Sequence, residues 1–92
     1  MKKVFKLQLE NKKPDRVIDS IKNEIRKYLK RERKKKLPED AVFWDFDCRF
    51  GAEQSSAKSV TANEVITSLD IARQENWEAC YVEIIAKASF KA

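Results

Sequence analysis

Apolar and polar residues alternate in three separate stretches of the chain, and this alternation predicts three β-strands. Near the N-terminus, Phe5, Leu7 and Leu9 alternate with polar residues at the period of two that a half-buried strand shows. Residues 41–50 repeat the pattern with an apolar side of Val42, Trp44, Phe46, Cys48 and Phe50. Residues 78–90 repeat it again, with a core side of Cys80, Val82, Ile84 and Ala86. The opposite sides of these two strands carry Phe43, Asp45, Asp47, Arg49, Tyr81, Glu83, Ile85 and Lys87.

Two further stretches have apolar residues spaced by three and four positions, which predicts two amphipathic helices. The first begins near Pro14, a residue suited to the first position of a helix, and has an apolar stripe of Val17, Ile18, Ile21, Ile25, Tyr28 and Leu29. Continuing this period would reach Glu32, Arg33 and Lys36, so a helix that ran on to Lys36 would leave the domain on which it packs. The second helix lies within residues 60–77, where Thr61 and Glu64 form a capping box.

The predicted elements follow one another in the order β-α-β-α-β, and residues 51–59 are predicted to be a loop. Each strand has one plainly apolar side, which favours helices on one face of the sheet. The chain is therefore predicted to be a single domain, residues 1–92, of the α/β or α+β class, in which a three-stranded sheet and two helices form a two-layer sandwich. An all-parallel sheet would require the strand order 1-2-3, whereas a mixed sheet is free of that rule.

Composition argues against several classes of function. No apolar run approaches the length of about 20 residues that a membrane span needs. The apolar run of the N-terminal segment is broken by Lys6 and Gln8, so no signal peptide is predicted. Histidine is absent and Cys48 and Cys80 are the two cysteines, a poor ligand set for zinc. We therefore expect a cytoplasmic protein with free thiols, no metal, no cofactor and no contact with a membrane.

Positive charge is concentrated between Arg26 and Lys36. Eight of the 20 basic residues and one of the 15 acidic residues lie there, so this segment carries +7 and the remainder of the chain −2. The helix dipole favours cations by about 0.3–1 kcal/mol each, but only in the last turn. The segment is therefore predicted to contact RNA, DNA or an acidic protein surface, with RNA slightly favoured, through Arg26, Lys27, Lys30, Arg31, Arg33, Lys34, Lys35 and Lys36. A merely solvated helix end is the simpler alternative.

Two other surfaces offer alternative functions. The open face of the sheet around Phe43 and Tyr81 would suit a protein-interaction adaptor. A small-ligand site, or an unrecognised enzyme, would combine Asp45, Asp47, Arg49, Gly51, Ser55, Ser56 and Lys58. Two carboxylates without a histidine, a third ligand or a recognisable phosphate-binding loop are weak grounds for catalysis. The protein is therefore predicted to be a non-catalytic binding module, with no catalytic residue assigned.

Three stretches, RKYLKRERKKKLPE, FWDFDCRFGA and YVEIIAK, occur in an order and at separations that resemble a small uncharacterised bacterial protein family, a domain of unknown function. The resemblance covers essentially the whole chain. It implies a compact bacterial cytosolic protein, and it brings no assigned activity, ligand or functional residue.

Overall fold

A computed structural model describes residues 1–90 and shows an α+β fold with two helices and an antiparallel sheet. In chain order the elements are β1 (Lys2–Lys6), α1 (Pro14–Arg33), β2 (Ala41–Gly51), β3 (Lys58–Val60), α2 (Ala62–Gln74) and β4 (Ala79–Phe90), with a 3₁₀ turn at Gln54–Ser56. The two predicted helices and the α+β alternative of the predicted class are confirmed. Residues 91–92 of the predicted domain lie outside the described residues.

The sheet has four strands, so the prediction of three was wrong. The additional strand, β3, lies in the segment predicted to be a loop and pairs with Cys48, Arg49 and Phe50 of β2. Its sequence is Lys-Ser-Val, in which the valine is the single apolar residue. Three residues are too few to show the alternation by which a strand is recognised from sequence. Pairing with β2, rather than local pattern, therefore makes this segment a strand.

The strands lie side by side in the order β1-β4-β2-β3, and every neighbouring pair is antiparallel. It follows that β1 and β2 run parallel to each other with β4 between them, and that β3 and β4 do so with β2 between them. The fold thus consists of two interleaved split β-α-β units. The order 1-2-3 required of an all-parallel sheet does not arise, because an antiparallel strand lies between the two parallel strands of each unit.

Both helices pack on one face of the sheet, as the apolar sides of the strands predicted. The fully covered centre of the core combines Ile25 of α1 with Val65 and Leu69 of α2 and with Val82 and Ile84 of β4. The even-numbered residues Cys48 and Phe50 of β2 belong to the same cluster. Alternation along β2 and β4 therefore selects the side chains that the helices cover.

Two residues predicted to face the core are exposed instead. Leu9 is 41% exposed because β1 ends at Lys6, before the alternating pattern ends. Val42 is 52% exposed, and the pairing of β2 with β4 is irregular between Ala41 and Phe43. Phe90 pairs with Ala41 at this end of the sheet, lies on the helix side of β4 and is also exposed. The two helices therefore leave this end of the β2–β4 pair uncovered.

The single glycine, Gly51, stands where two backbone segments approach closely. A Cβ atom at this position would lie 2.7 Å from the Cα atom of Ala57 and 3.1 Å from the carbonyl carbon of Ser56. Gly51 pairs with Tyr81 across β2 and β4, so the two residues share the open face of the sheet. The absence of a side chain at Gly51 thus lets the turn before β3 lie against that face.

We expect Gly51→Ala to destabilise the fold by about 1–3 kcal/mol, because the methyl group would collide with backbone rather than with a movable side chain. Urea unfolding would measure the change in the free energy of unfolding. Ser55→Ala, on the exposed part of the same turn, is the matched control and should change it by less than about 0.5 kcal/mol. Equal values for the two variants would contradict the close approach.

Candidate nucleic-acid interface

The end of α1 presents a continuous set of cations to solvent. The helix ends at Arg33, with Lys34 as its C-cap, so the rest of the basic segment follows the helix rather than extending it. All eight predicted side chains are exposed. We call them the basic surface: Arg26, Lys27, Lys30, Arg31, Arg33, Lys34, Lys35 and Lys36. In the described part of the chain, Lys35 is the one member that forms an ion pair with a carboxylate.

The acid within this segment, Glu32, points inward and is 8% exposed. Its Oε2 lies 2.5 Å from the Nζ of Lys35. The contact with Lys35 is the largest cause that lowers the pKa of Glu32 below its ordinary value of 4.5, and a hydrogen bond with Tyr28 acts in the same direction against the effect of desolvation. Desolvation, followed by the same hydrogen bond, raises the pKa of Tyr28 above its ordinary value.

A helix that ran on to Lys36 was predicted to leave the domain, but α1 ends at Arg33 and this condition does not arise. Glu32 continues the buried stripe of α1 by one more turn. Beyond it, the Nε1–H of Trp44 on β2 donates a hydrogen bond of 2.8 Å to the carbonyl oxygen of Lys35. The guanidinium of Arg33 lies 5.4 Å from the centroid of the Phe46 ring, also on β2. The basic segment is thus held against the sheet on both sides of the helix end.

A concave region adjoins the basic surface between the end of α1 and the start of α2. It encloses about 360 Å³ and is lined by Arg26, Leu29, Arg33, Ala62, Asn63, Ile66 and Thr67. Two guanidinium groups therefore stand at the border between the two helices, on the flank of α1 that faces α2.

The residues of the predicted small-ligand site do not converge on one point. Lys87 on β4 donates to Asp47 Oδ1 at 2.8 Å, and this contact raises the pKa of Lys87. Asp45 accepts a 2.8 Å hydrogen bond from the backbone N–H of Phe46. The Ser56 hydroxyl is engaged with the backbone of Glu53. Ser55 and Lys58 are exposed, and Gly51 is covered.

Arg49 is the predicted ligand-site residue that the structure places most firmly. Its Nη2 donates to the carbonyl oxygen of Ala57 at 3.0 Å, and its Nη1 lies 3.9 Å from Oε1 of Glu83. The Tyr81 hydroxyl donates to the same carboxylate oxygen at 2.7 Å, and this hydrogen bond raises the pKa of Tyr81. The guanidinium thus ties the turn before β3 to the open face of the sheet.

The open face differs from the surface predicted for protein interaction. Phe43 is 53% exposed, whereas Tyr81 is 4% exposed and cannot offer its ring to a partner. Tyr81 is covered because the turn before β3 lies beside it, over Gly51. The exposed apolar neighbours on this face are Ile85 of β4 and Val4 of β1, which pairs with Tyr81.

Other chemistry is sparse in the described part of the chain. Residues 1–90 contain no group of three potential metal-ligating side chains. Both cysteines are buried and unpaired, and desolvation raises the pKa of Cys80 to about 12 and that of Cys48 above its ordinary value. No helix in residues 1–90 is both long and apolar enough to cross a membrane.

Sequence reasoning missed the two side chains that shape the basic surface, Glu32 and Trp44. Glu32 stands four residues after Tyr28 and three before Lys35, spacings at which helix side chains meet, and this was the available signal. The role of Trp44 had no such signal, because its acceptor is a backbone carbonyl brought to it by the chain reversal between α1 and β2.

We expect Trp44→Phe to release residues 34–36 from the sheet, because the variant keeps a ring but loses the N–H donor. The free energy of unfolding should fall by about 0.5–1.5 kcal/mol, the usual contribution of one hydrogen bond. Tryptic cleavage after Lys34, Lys35 and Lys36 under native conditions should accelerate. Trp77→Phe is the matched control and should leave cleavage after these three lysines unchanged. Equal cleavage of Trp44→Phe and wild type would contradict the idea that the Trp44 hydrogen bond holds residues 34–36 against the sheet.

We expect Glu32→Gln to alter the pH dependence of stability in acid. Because the pKa of Glu32 in the folded protein is below 4.5, its ionised form stabilises the fold above that pH, and the contribution is lost as the pH falls through the folded-state pKa. The stability difference between wild type and Glu32→Gln should therefore be largest above pH 4.5 and shrink below it. Urea unfolding at a series of pH values would measure this. Glu39→Gln, at an exposed acid, is the control; parallel curves for wild type and Glu32→Gln would exclude the inward ion pair.

The comparisons with known proteins place the chain in a family without adding a function. No curated protein and no solved structure matches the chain. One family model matches residues 1–92, and its description is a family of unknown function, DUF6172. The prediction from the resemblance to an uncharacterised family is confirmed, whereas bacterial origin and cytoplasmic location stay predictions. The chain belongs to the family of unknown function DUF6172.

Proposed function

We propose that the protein is a non-catalytic module that binds nucleic acid, structured RNA in preference to DNA, through the basic surface. One observation carries the proposal: the only acid within this segment, Glu32, is turned inward and paired, so the surface that a partner meets is uniformly positive. A helix end that served solubility alone would gain nothing from removing its one carboxylate from solvent.

Stability of the fold gives no reason for so many cations. Lys30, Arg31 and Arg33 lie in the last turn of α1, where the helix dipole favours cations by about 0.3–1 kcal/mol each. Arg26 stands more than a turn before the helix end and four residues before Lys30, so these two cations repel each other by a few tenths of a kcal/mol. A polyanion that neutralises them would remove this repulsion and release its own counterions.

The geometry suits contact with a phosphate backbone. Arg26, Lys30 and Arg33 lie on one flank of α1 and span about 10 Å of helix length at 1.5 Å per residue. A duplex presents one phosphate on each strand per roughly 3.4 Å of axis, so this flank would meet several phosphates at once. Lys34 and Lys36 extend the same positive region along residues 34–36, which the Trp44 hydrogen bond holds against the sheet.

The basic surface favours recognition of shape over recognition of sequence. Two aromatic rings beside it each have a cation over one face, Tyr28 with Arg31 and Phe46 with Arg33. A third ring, Trp44, is half-buried and donates its N–H to the Lys35 carbonyl, so the surface presents no row of open rings on which bases could stack. Duplex RNA is recognised mainly through its shape and its phosphates, which is the type of contact that such a surface makes.

A charge-matched pair of variants tests the proposal. The first replaces Lys27, Lys30, Lys34 and Lys36 by Gln and leaves intact the contacts of Arg31, Arg33 and Lys35. The second replaces four exposed lysines elsewhere, Lys2, Lys6, Lys13 and Lys58. Both variants lose the same charge, so only the position of the removed charge differs. Fluorescence anisotropy would measure their affinity for a labelled RNA duplex and a DNA duplex of equal length over a range of salt concentrations.

We expect wild type and the second variant to bind the RNA duplex, and the first variant to lose most of its affinity. The slope of log K against log salt should become shallower in the first variant by about 0.9 for each phosphate that the protein no longer neutralises. Equal loss of affinity in the two variants would overturn the proposal. Binding of poly-glutamate but of neither duplex would also overturn it and would favour an acidic protein partner.

A further inference from the structure

A second concave region lies at the opposite end of α1 from the basic surface. It encloses about 500 Å³ between the connection from β1 to α1 and the end of α2, a volume within the usual range of small-molecule sites. Its lining is mixed: Leu7, Gln8, Leu9, Glu10, Lys12, Pro14, Ile18, Arg73, Asn76 and Trp77. It shares no residue with the basic surface and is unrelated to the proposed nucleic-acid contact.

The floor of this cavity is apolar and rigidly supported. Leu7 and Ile18 are each 3% exposed and belong to the core. The Trp77 ring is stacked on Phe50, with the two centroids 5.9 Å apart. The cavity thus offers the half-buried ring of Trp77 to a ligand, and the two core side chains close the floor behind it. Leu9, 41% exposed at the rim, adds apolar surface that the fold itself does not cover.

Several backbone contacts hold the wall of the cavity in place. The Gln8 side-chain N–H donates to the carbonyl oxygens of Asn76 at 2.9 Å and Trp77 at 3.5 Å. Asn76 has the positive φ of 58° that ends α2, and Trp77 N–H donates to the carbonyl of Ala72 at 3.0 Å. The site is therefore built by ordered chain rather than by a loose loop.

One charged group at the rim has an unused donor edge. The Nε–H of Arg73 donates to Oδ1 of Asp15 at 2.9 Å, whereas its two Nη groups have no hydrogen-bond partner in residues 1–90. A guanidinium presents two such N–H groups in the geometry that binds a carboxylate in bidentate fashion. Lys12 and Glu10 also stand at the rim with opposite charges, and Asp15 pairs with the Nε edge of Arg73. The Nη edge of Arg73, which only donates, is therefore the feature that favours an anionic group at this rim.

We infer that this cavity binds a small organic acid that has one carboxylate and a planar apolar body. The body would lie against Trp77 and Leu9, above the floor that Leu7 and Ile18 close, and the carboxylate would accept from the Nη groups of Arg73. Asp15 pairs with the Nε–H of Arg73 and does not itself line the cavity. A small acid fits better than an extended chain because the apolar floor is a single patch bounded by polar residues.

Chemical-shift titration of the ¹⁵N-labelled protein, residues 1–92, tests this inference, with 1-naphthylacetate as the probe. The neutral isostere 1-naphthylacetamide has the same body without the charge, and acetate has the charge without the body. We expect 1-naphthylacetate to shift the amides of residues 7–12 and 73–77 in a saturable manner. The amide should bind at least about tenfold more weakly, because it cannot accept a charge-assisted hydrogen bond, and acetate should give no saturable shift.

Two variants separate the guanidinium from the ion pair that it forms. Arg73→Gln removes both the ligand-binding group and its bond to Asp15, whereas Asp15→Asn weakens the same bond and keeps the guanidinium. We expect 1-naphthylacetate to bind Arg73→Gln at least about tenfold more weakly and to bind Asp15→Asn as well as wild type or better. Equal weakening in both variants, equal affinity for the acid and its amide, or shifts that avoid residues 7–12 and 73–77 would each overturn the inference. Spectra of the free variants would show that both are folded.

Discussion

The antiparallel pairing of β2 with β4 is the constraint on which the rest of the structure depends. Its register sets Cys48 opposite Ile84, so that the even-numbered residues of both strands meet the helices. The same register sets Arg49 opposite Glu83 on the other face. A shift of one residue would exchange the faces of one strand, burying its charged residues and exposing the core. The core, the open face and the turn before β3 therefore all follow from one alignment.

A single buried acid connects this fold to its most positive surface. Glu32 sits at the boundary between the core stripe of α1 and the basic segment, and its ion pair with Lys35 lies close to the hydrogen bond from Trp44 to the Lys35 carbonyl. Burying a carboxylate is costly unless it is paired. Here the paired residue, Lys35, is also the one whose carbonyl oxygen accepts the hydrogen bond from β2. The ion pair of Glu32 thus lies where the core stripe of α1 meets the basic surface, which links packing to the proposed function.

The two ends of α1 differ in the type of surface that they offer. At its C-terminal end, cations outnumber acids, which suits a large polyanion. At its N-terminal end, charges of both signs surround an apolar floor that includes Trp77 and Leu7, which suits a small ligand with one charge. The helix itself is amphipathic along its whole length, so the difference arises from what the neighbouring elements contribute at each end.

Local pattern by itself determined the two helices, the buried sides of the long strands and the concentration of charge between Arg26 and Lys36. Each of these follows from the spacing or the number of residues that are close together in the sequence. Tertiary structure alone decided the position of β3, the burial of Tyr81 beneath the turn at Gly51 and the cavity beside Trp77. These depend on which distant segments are brought into contact. Antiparallel insertion of β4 between β1 and β2 is such a long-range choice, and no local period encodes it.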